Sequence, residues 1–302
     1  FSNPPAFAAS FKKWRVGKSA LRRSANEWFA SISFDSRGAS RHTYGSTAGR
    51  RSVTKAERSW ILYDCANSAQ TLIVTTTILP IFFKSFAAKG MPNEVSTLYW
   101  GIGNTVAMVF VAMLSPILGA LADHRGFKKR LFVFFLLIGV VATAALPAVR
   151  EGQWLFCLVL FGFSTIGFYG AVVFYDSFLV DVAEKDRMDW VSASGFAWGY
   201  FASTIPYILC MALITQYQKL GFSSTLAPTR LAFLITAVWW FALTMPMLRN
   251  VRQVHFVPKH ANPIGESLSR LADTLRNITR YKALFGFLLA YFLYIDGVHT
   301  IY

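Results

Sequence analysis

The stretch GALADHRGFKKRL, residues 119–131, closes one long apolar segment of the chain and opens the next. It places a single carboxylate, that of Asp123, among four lysine and arginine side chains in a very short turn. We call these residues the basic turn. Because the apolar segments on both sides are long enough to cross a lipid bilayer, the basic turn indicates a membrane protein and gives a point from which its other segments are oriented.

The composition agrees with this interpretation. The chain has 302 residues, of which 54% are hydrophobic and only 15% are charged, which is too apolar for an ordinary soluble domain. The apolar residues form blocks close to or above the roughly 20 residues that span a bilayer as a helix. We predict an all-α integral membrane protein whose seven spanning helices cover residues 60–88, 96–121, 131–148, 154–180, 190–214, 230–248 and 283–302.

The net charge of +15 raises the question of nucleic acid as a partner. Of the 30 lysine and arginine residues, 25 fall in four stretches that share one side of the membrane if the helices alternate: residues 1–59, 122–130, 181–189 and 249–282. Cationic loops of membrane proteins stay in the cytoplasm. The pattern therefore predicts that the amino terminus and the basic turn are cytoplasmic, and nucleic acid is not needed to explain the charge.

Four regions follow from these patterns. Residues 1–59 form a basic segment that is disordered, lies on the membrane surface or resembles a transit peptide. Residues 60–248 form a six-helix lobe. Residues 249–282 form a cytoplasmic linker, in which apolar residues spaced by three and four predict an amphipathic helix. Residues 283–302 form the seventh helix, which begins a second lobe.

Only three acids lie inside the apolar segments, namely Asp64, Asp176 and Asp296, and no lysine or arginine is embedded with them, since Lys84 and Arg230 lie near segment ends. An ionisable group at such depth costs several kcal/mol unless it faces a cavity, pairs or takes up a proton. We therefore predict a pathway for protons or for a cationic amine. For Asp64 and Asp176, which are near the cytoplasmic helix ends, capping or packing at the interface is the alternative. The neighbouring polar side chains expected in this pathway are Tyr63, Asn67 and Asn104.

Patterns typical of enzymes are missing from the sequence. It contains no nucleophile elbow, phosphate-binding loop, HExxH or CxxC pattern. Its three cysteines fall on different apolar segments, and its five histidines show no metal-ligand spacing. We expect neither an enzyme nor a cofactor or metal site.

The basic turn resembles the GxLaDrxGrkxxl signature between helices two and three of the major facilitator superfamily. The sequence departs from the signature at His124 and Phe127, where the family usually has arginine. The matching residues are Gly119, Leu121, Ala122, Asp123, Gly126, Lys128 and Leu131.

One branch of that superfamily, the bacterial relatives of the autophagy-related vacuolar effluxer family, resembles the chain over residues 57–302. The resemblance implies a twelve-helix, two-lobed secondary transporter in which helices one, four, seven and ten line the central path. The stretches that carry it are WILYDCANSA (60–69), YWGIGNT (99–105), VFYDSFLVDVA (173–183), VSASGFAWGY (191–200) and YFLYIDGVHTI (291–301).

The resemblance implies a secondary-active or facilitative exporter of small organic solutes, with amino acids as the expected class. Alternating access needs two lobes, and five helices of the second lobe are missing, so we expect a fragment or a truncated gene product. The alternative is a truncated lobe that does not transport and serves as a membrane scaffold or subunit. The expected location is a bacterial inner or plasma membrane, or a vacuolar or other organellar membrane.

The resemblance assigns the basic turn to gating, with Asp123 holding the cytoplasmic helix ends together. Asp181, in the one acidic cytoplasmic loop, is the predicted partner of Arg125, Lys128 or Lys129. The gating residues expected on these grounds are Gly119, Asp123, Arg125, Gly126, Lys128, Lys129 and Asp181.

Overall fold

The computed structural model describes residues 52–122, 124, 126–255, 285–287 and 289–294. Several predictions lie outside these residues. They concern the basic segment up to residue 51, the amphipathic helix of the linker, and the side chains of Asp123, Arg125 and Asp296.

Six helices are long and apolar enough to cross a membrane, and they coincide with the first six predicted segments. The chain is an integral membrane protein. The helices are α1 (Lys55–Ala87), α2 (Asn93–Ala122), α3 (Phe127–Ala145), α4 (Trp154–Ser177), α5 (Met188–Thr215) and α6 (Leu226–Asn250). Short helical turns follow α3 at Leu146–Ala148 and α4 at Leu179–Val182. A shorter apolar helix, α7 (Phe285–Tyr294), covers part of the seventh predicted segment.

Helix α1 begins five residues before its apolar segment because Thr54 caps it. The Thr54 hydroxyl accepts the Glu57 backbone N–H at 3.1 Å, and the Glu57 carboxylate accepts the Thr54 N–H at 2.8 Å. Such a cap stabilises a helix by about 1 kcal/mol. Glu57, which is 2% exposed, also accepts from Arg187 Nε at 2.8 Å. This ion pair joins the start of α1 to the loop before α5.

Much of α1 is wound more widely than an α-helix. Residues Gln70–Ile78 and Phe83–Ala87 are π-helical. The hydroxyls of Thr76 and Thr77 donate to carbonyls five residues earlier, at 2.9 and 2.7 Å. The wide stretch begins at Gln70, a buried polar residue of α1.

Helix α1 packs against α5 and α6, while α4 packs against α2 and α3. Contacts between α3 and α6 join the two groups of helices. The core consists of one apolar cluster near the basic turn and a second toward the opposite end. The first includes Trp60, Phe132, Phe174 and Trp240, and the second includes Ile73, Phe82, Phe161 and Phe233. Large apolar side chains on the outside, such as Phe110 and Ile208, are more than half exposed, as suits a lipid-facing surface.

Candidate functional site

Helix α1 meets α4 through an aromatic contact. Trp60 Nε1 donates to the Tyr175 carbonyl at 3.0 Å, and the two rings stack with their centroids 4.3 Å apart. The Tyr63 ring lies 4.7 Å from that of Tyr175. All three side chains are at most 3% exposed. This rigid contact fixes the residue that follows each tyrosine, namely Asp64 on α1 and Asp176 on α4.

The two aspartates flank the same aromatic contact, since each follows one of its tyrosines in the chain. Asp64 is 7% exposed, whereas Asp176 is an exposed residue. Neither carboxylate has an ion-pair partner among the residues that the structure describes. Asp64 does not cap α1, since Thr54 does so more than two turns earlier.

Helix α5 approaches the Asp64 carboxylate through a glycine. A Cβ atom at Gly195 would lie 3.0 Å from Asp64 Oδ2, 2.9 Å from the Trp60 ring and 3.4 Å from Tyr175 Oη. A side chain at this position would therefore displace the carboxylate or the aromatic pair. Glycine lets α1, α4 and α5 converge on one point.

Several polar atoms around the two carboxylates lack a hydrogen-bond partner. Within the described residues, Tyr175 Oη has no partner, and Tyr63 Oη and Trp240 Nε1 form no hydrogen bond of good geometry although the Tyr63 hydroxyl lies beside the Trp240 and Asn67 side chains. The side chain of Asn67 is 5% exposed, and its Oδ1 accepts from Ser68 at 3.4 Å. Buried polar groups in proteins nearly always bind something, so this cluster is suited to water, protons or a polar solute.

Asn104 is not part of the cluster. It is half-buried on α2, which packs against α4, and it has no hydrogen bond to either carboxylate. No group of three histidine, cysteine, aspartate or glutamate side chains among the described residues could hold a metal ion.

A second polar cluster, which was not predicted from the sequence, lies between α1, α3 and α4. Gln70 Nε2 donates to Ser164 Oγ at 2.8 Å, and Ser164 Oγ lies 2.9 Å from Thr143 Oγ1. All three side chains are at most 2% exposed, and Gln70 Oε1 has no partner among the described residues. The available signal was Gln70 itself, the only amide side chain between residues 68 and 92.

The basic turn is connected to the short helical turn after α4 by a buried ion pair. Lys128 Nζ lies 2.8 Å from Asp181 Oδ2 and donates to the Ser177 carbonyl at 2.9 Å. Of the three cations considered as partners of Asp181, the structure pairs it with Lys128. Lys129 Nζ donates instead to the carbonyl of Val251 at 3.0 Å.

Two glycines of the basic turn have different environments. Gly126 precedes α3 with a φ of 79°, in the left-handed region that favours glycine. Gly119 lies within α2 and is half-buried. The expected gating residues Asp123 and Arg125 are outside the described residues.

Comparison with known proteins gives one family match. The model of the family described as "Vacuole effluxer Atg22 like" matches residues 95–302. No solved structure matches the chain.

Three curated proteins are similar over part of their length. The uncharacterized MFS-type transporter YxiO of Bacillus subtilis is 47% identical over 251 residues, which cover 82% of this chain and 58% of the relative. An uncharacterized Aquifex aeolicus protein is 28% identical over 60% of this chain and 43% of its own length. Autophagy-related protein 22 of Kluyveromyces lactis is 24% identical over 58% of this chain and 39% of its own length. The chain thus spans less than two thirds of each relative.

Proposed function

Since this chain belongs to the Atg22-like vacuole effluxer family, a branch of the major facilitator superfamily, we propose that the protein exports small organic solutes across a membrane. Export proceeds by alternating access, as proton-linked or facilitative transport, and amino acids are the first solute class to test. The complete activity needs a second lobe, because one six-helix lobe cannot rock against itself. The description of the family and the name of the Bacillus subtilis relative both indicate a transporter rather than an enzyme.

The observation that carries the proposal is the pair formed by Asp64 and Asp176. The two carboxylates belong to residues at the same aromatic contact between α1 and α4, and neither has an ion-pair partner among the described residues. Two like charges in apolar surroundings are costly, and taking up a proton or binding a cationic amine removes that cost. Asp176 is exposed whereas Asp64 is 7% exposed, and this difference in accessibility supports passing a proton from Asp176 to Asp64.

The remaining site residues have supporting roles in the proposal. Tyr63 and Asn67 supply hydrogen bonds beside Asp64, and Asn104 contacts solute from α2. Asp296 is the third acid of the pathway, contributed from the seventh segment. The residues of the basic turn, with Asp181, control opening at the end of the bundle that we assign to the cytoplasm from the charge distribution.

The proposed location is the plasma membrane of a bacterium, and a vacuolar or other organellar membrane is the alternative. The cationic amino-terminal segment supports a cytoplasmic amino terminus. Impermeant labelling of single cysteines placed in the basic turn and in the α1–α2 loop tests the orientation. Labelling of the basic turn from the outside of intact cells would show the opposite orientation, with the amino terminus outside the cytoplasm.

Counterflow in proteoliposomes tests the function. The full-length protein is reconstituted and assayed with a panel of amino acids and amines over a range of pH. We expect Asp64→Asn and Asp176→Asn to lower the exchange rate by at least about tenfold and to flatten its pH dependence. Asp186→Asn, which changes an exposed loop acid, serves as the control. Unchanged rates at every pH in both site variants would remove the proton-coupling role.

A further inference from the structure

The five residues that follow α6, residues 251–255, run directly beneath the basic turn; we call them the strap. Val251 continues from α6, with its N–H donating to the Met247 carbonyl at 3.0 Å, and it is 2% exposed. Its carbonyl accepts from Lys129 Nζ at 3.0 Å. The strap is therefore held against α3 from its first residue.

One side chain of the strap binds both helix ends of the basic turn. Gln253 Oε1 accepts the Gly126 N–H at 3.0 Å, next to the start of α3. Gln253 Nε2 lies 3.2 Å from the carbonyl of Ala122, where α2 ends, and 3.2 Å from that of His124. The last carbonyls and first N–H groups of helices lack partners within the helix. A single amide, more than 120 residues away in sequence, thus supplies an acceptor to one helix and a donor to the other.

The far end of the strap is held by the short helical turn Leu179–Val182 that follows α4. Asp181 Oδ1 accepts the backbone N–H groups of Val254 at 2.9 Å and His255 at 2.7 Å, and His255 Nδ1 lies 3.2 Å from the same oxygen. The other carboxylate oxygen accepts from Lys128. The Asp181 side chain is fully buried although it sits between four donors. The strap, the basic turn and this short helical turn therefore form a closed ring of hydrogen bonds.

We propose that Gln253 is a positioning residue that joins the basic turn to the chain leaving α6, so that the turn and the start of the linker move as one body. This inference rests on the proposed function, because the linker leads toward the part of the protein that would move against this lobe. A displacement of the linker then reaches the basic turn through Gln253 rather than being absorbed at the end of α6. The interaction also sets the conformation of the turn, since Gly126 has no side-chain cap of its own.

The test compares three variants of the full-length protein. Gln253→Leu removes the acceptor and the donors, whereas Gln253→Glu keeps an acceptor for the Gly126 N–H and loses both donors. The control is Gln218→Leu, on an exposed glutamine whose Nε2 contacts only the neighbouring Tyr217 hydroxyl in the described structure, at 3.2 Å. Spin labels at Arg130→Cys and Arg252→Cys, exposed positions in the basic turn and in the strap, report the distance between the turn and the strap.

We expect Gln253→Leu to broaden this distance distribution and to lower the maximal transport rate about tenfold, with KM changed less than about twofold. We expect Gln253→Glu to have an intermediate distribution and rate, and Gln218→Leu to match the wild type. An unchanged distribution in Gln253→Leu would overturn the proposal, even if the variant were less stable. A broadened distance distribution with an unchanged maximal transport rate would show that the contact between Gln253 and the basic turn does not affect transport, and would overturn that part of the proposal.

The label distances also separate this inference from the function on which it rests. If the wild-type protein exchanged no solute of the panel, the proposed export function would fail. A wild-type distance distribution that is narrow and broadens in Gln253→Leu would still assign Gln253 its positioning role.

Discussion

Lys128 Nζ lies 2.8 Å from Asp181 Oδ2, and the two side chains are only 3% and 0% exposed. Removing one partner of a buried ion pair leaves an uncompensated charge. We expect Lys128→Met to lower the free energy of unfolding by about 3–5 kcal/mol, and the double variant Lys128→Met/Asp181→Leu to lose less than the two single variants together. Unfolding in detergent, followed by tryptophan fluorescence, measures each value.

The exposed ion pair Lys89–Glu151 is the matched control for the comparison of single and double variants. Its atoms are also close, at 2.9 Å, but the two side chains are 58% and 54% exposed. Lys89→Met should lower the free energy of unfolding by no more than about 1 kcal/mol. If Lys128→Met and Lys89→Met lowered the free energy of unfolding equally, burial would not determine the strength of the Lys128–Asp181 interaction.

Gly195→Ala is expected to impair transport. The added methyl group would press on Asp64 Oδ2 and on the Trp60 ring, at 3.0 and 2.9 Å. Gly101→Ala is the control, because a Cβ there meets nothing within 4 Å. Replacing glycine by alanine inside an α-helix otherwise stabilises the folded protein by about 0.5–1 kcal/mol. Counterflow rates and thermal unfolding should both separate the two alanine variants, and identical behaviour would contradict the close approach of α5 to Asp64.

Ser164→Ala is expected to destabilise the fold by about 1–3 kcal/mol, since it leaves the buried Gln70 Nε2 without its acceptor, whereas the Thr143 hydroxyl keeps its bond to the Gly139 carbonyl. Thr244→Val is a suitable comparison. The Thr244 hydroxyl is equally buried, but it donates within its own helix, to the Trp240 carbonyl at 2.6 Å. A smaller loss in Ser164→Ala than in Thr244→Val would argue against an interhelical role for this cluster.

The three cysteines are free and buried. We expect Cys65, Cys157 and Cys210 to react with maleimide at a negligible rate in the native membrane and fully after denaturation, because the reagent cannot reach them. Ser85→Cys, at an exposed position of α1, provides the positive control. Mass spectrometry of the labelled protein counts the modified sites. Rapid labelling of the native wild type would show that the bundle opens locally.

The sequence predicted the six spanning helices because hydrocarbon leaves the backbone few ways to satisfy its hydrogen bonds, so long apolar runs determine the structure. It did not predict the true start of α1. That boundary depends on the capping interaction between Thr54 and Glu57, which uses residues outside the apolar run.

The site was predicted in part. Asp64 and Asp176 could be identified because acids are rare in apolar segments. The contact between Trp60 and Tyr175, beside which both lie, is not revealed by any pattern along the chain. The role of Gln253 was missed for a related reason. A glutamine after a helix is ordinary in sequence, and its importance depends on the Ala122 and Gly126 backbone groups that folding brings to it.

The π-helical stretch Gln70–Ile78 has a consequence for the natural variation of this protein. In an α-helix, deleting one residue rotates everything beyond it by about 100° about the axis. A π-helical stretch turns by a smaller angle per residue than an α-helix. The number of residues in it therefore determines how the part of α1 that holds Asp64 is rotated relative to the part that holds Phe82 and Phe83. Insertions and deletions between residues 70 and 78 should therefore be strongly selected against in functional homologues, whereas the same changes in the α1–α2 loop should be tolerated.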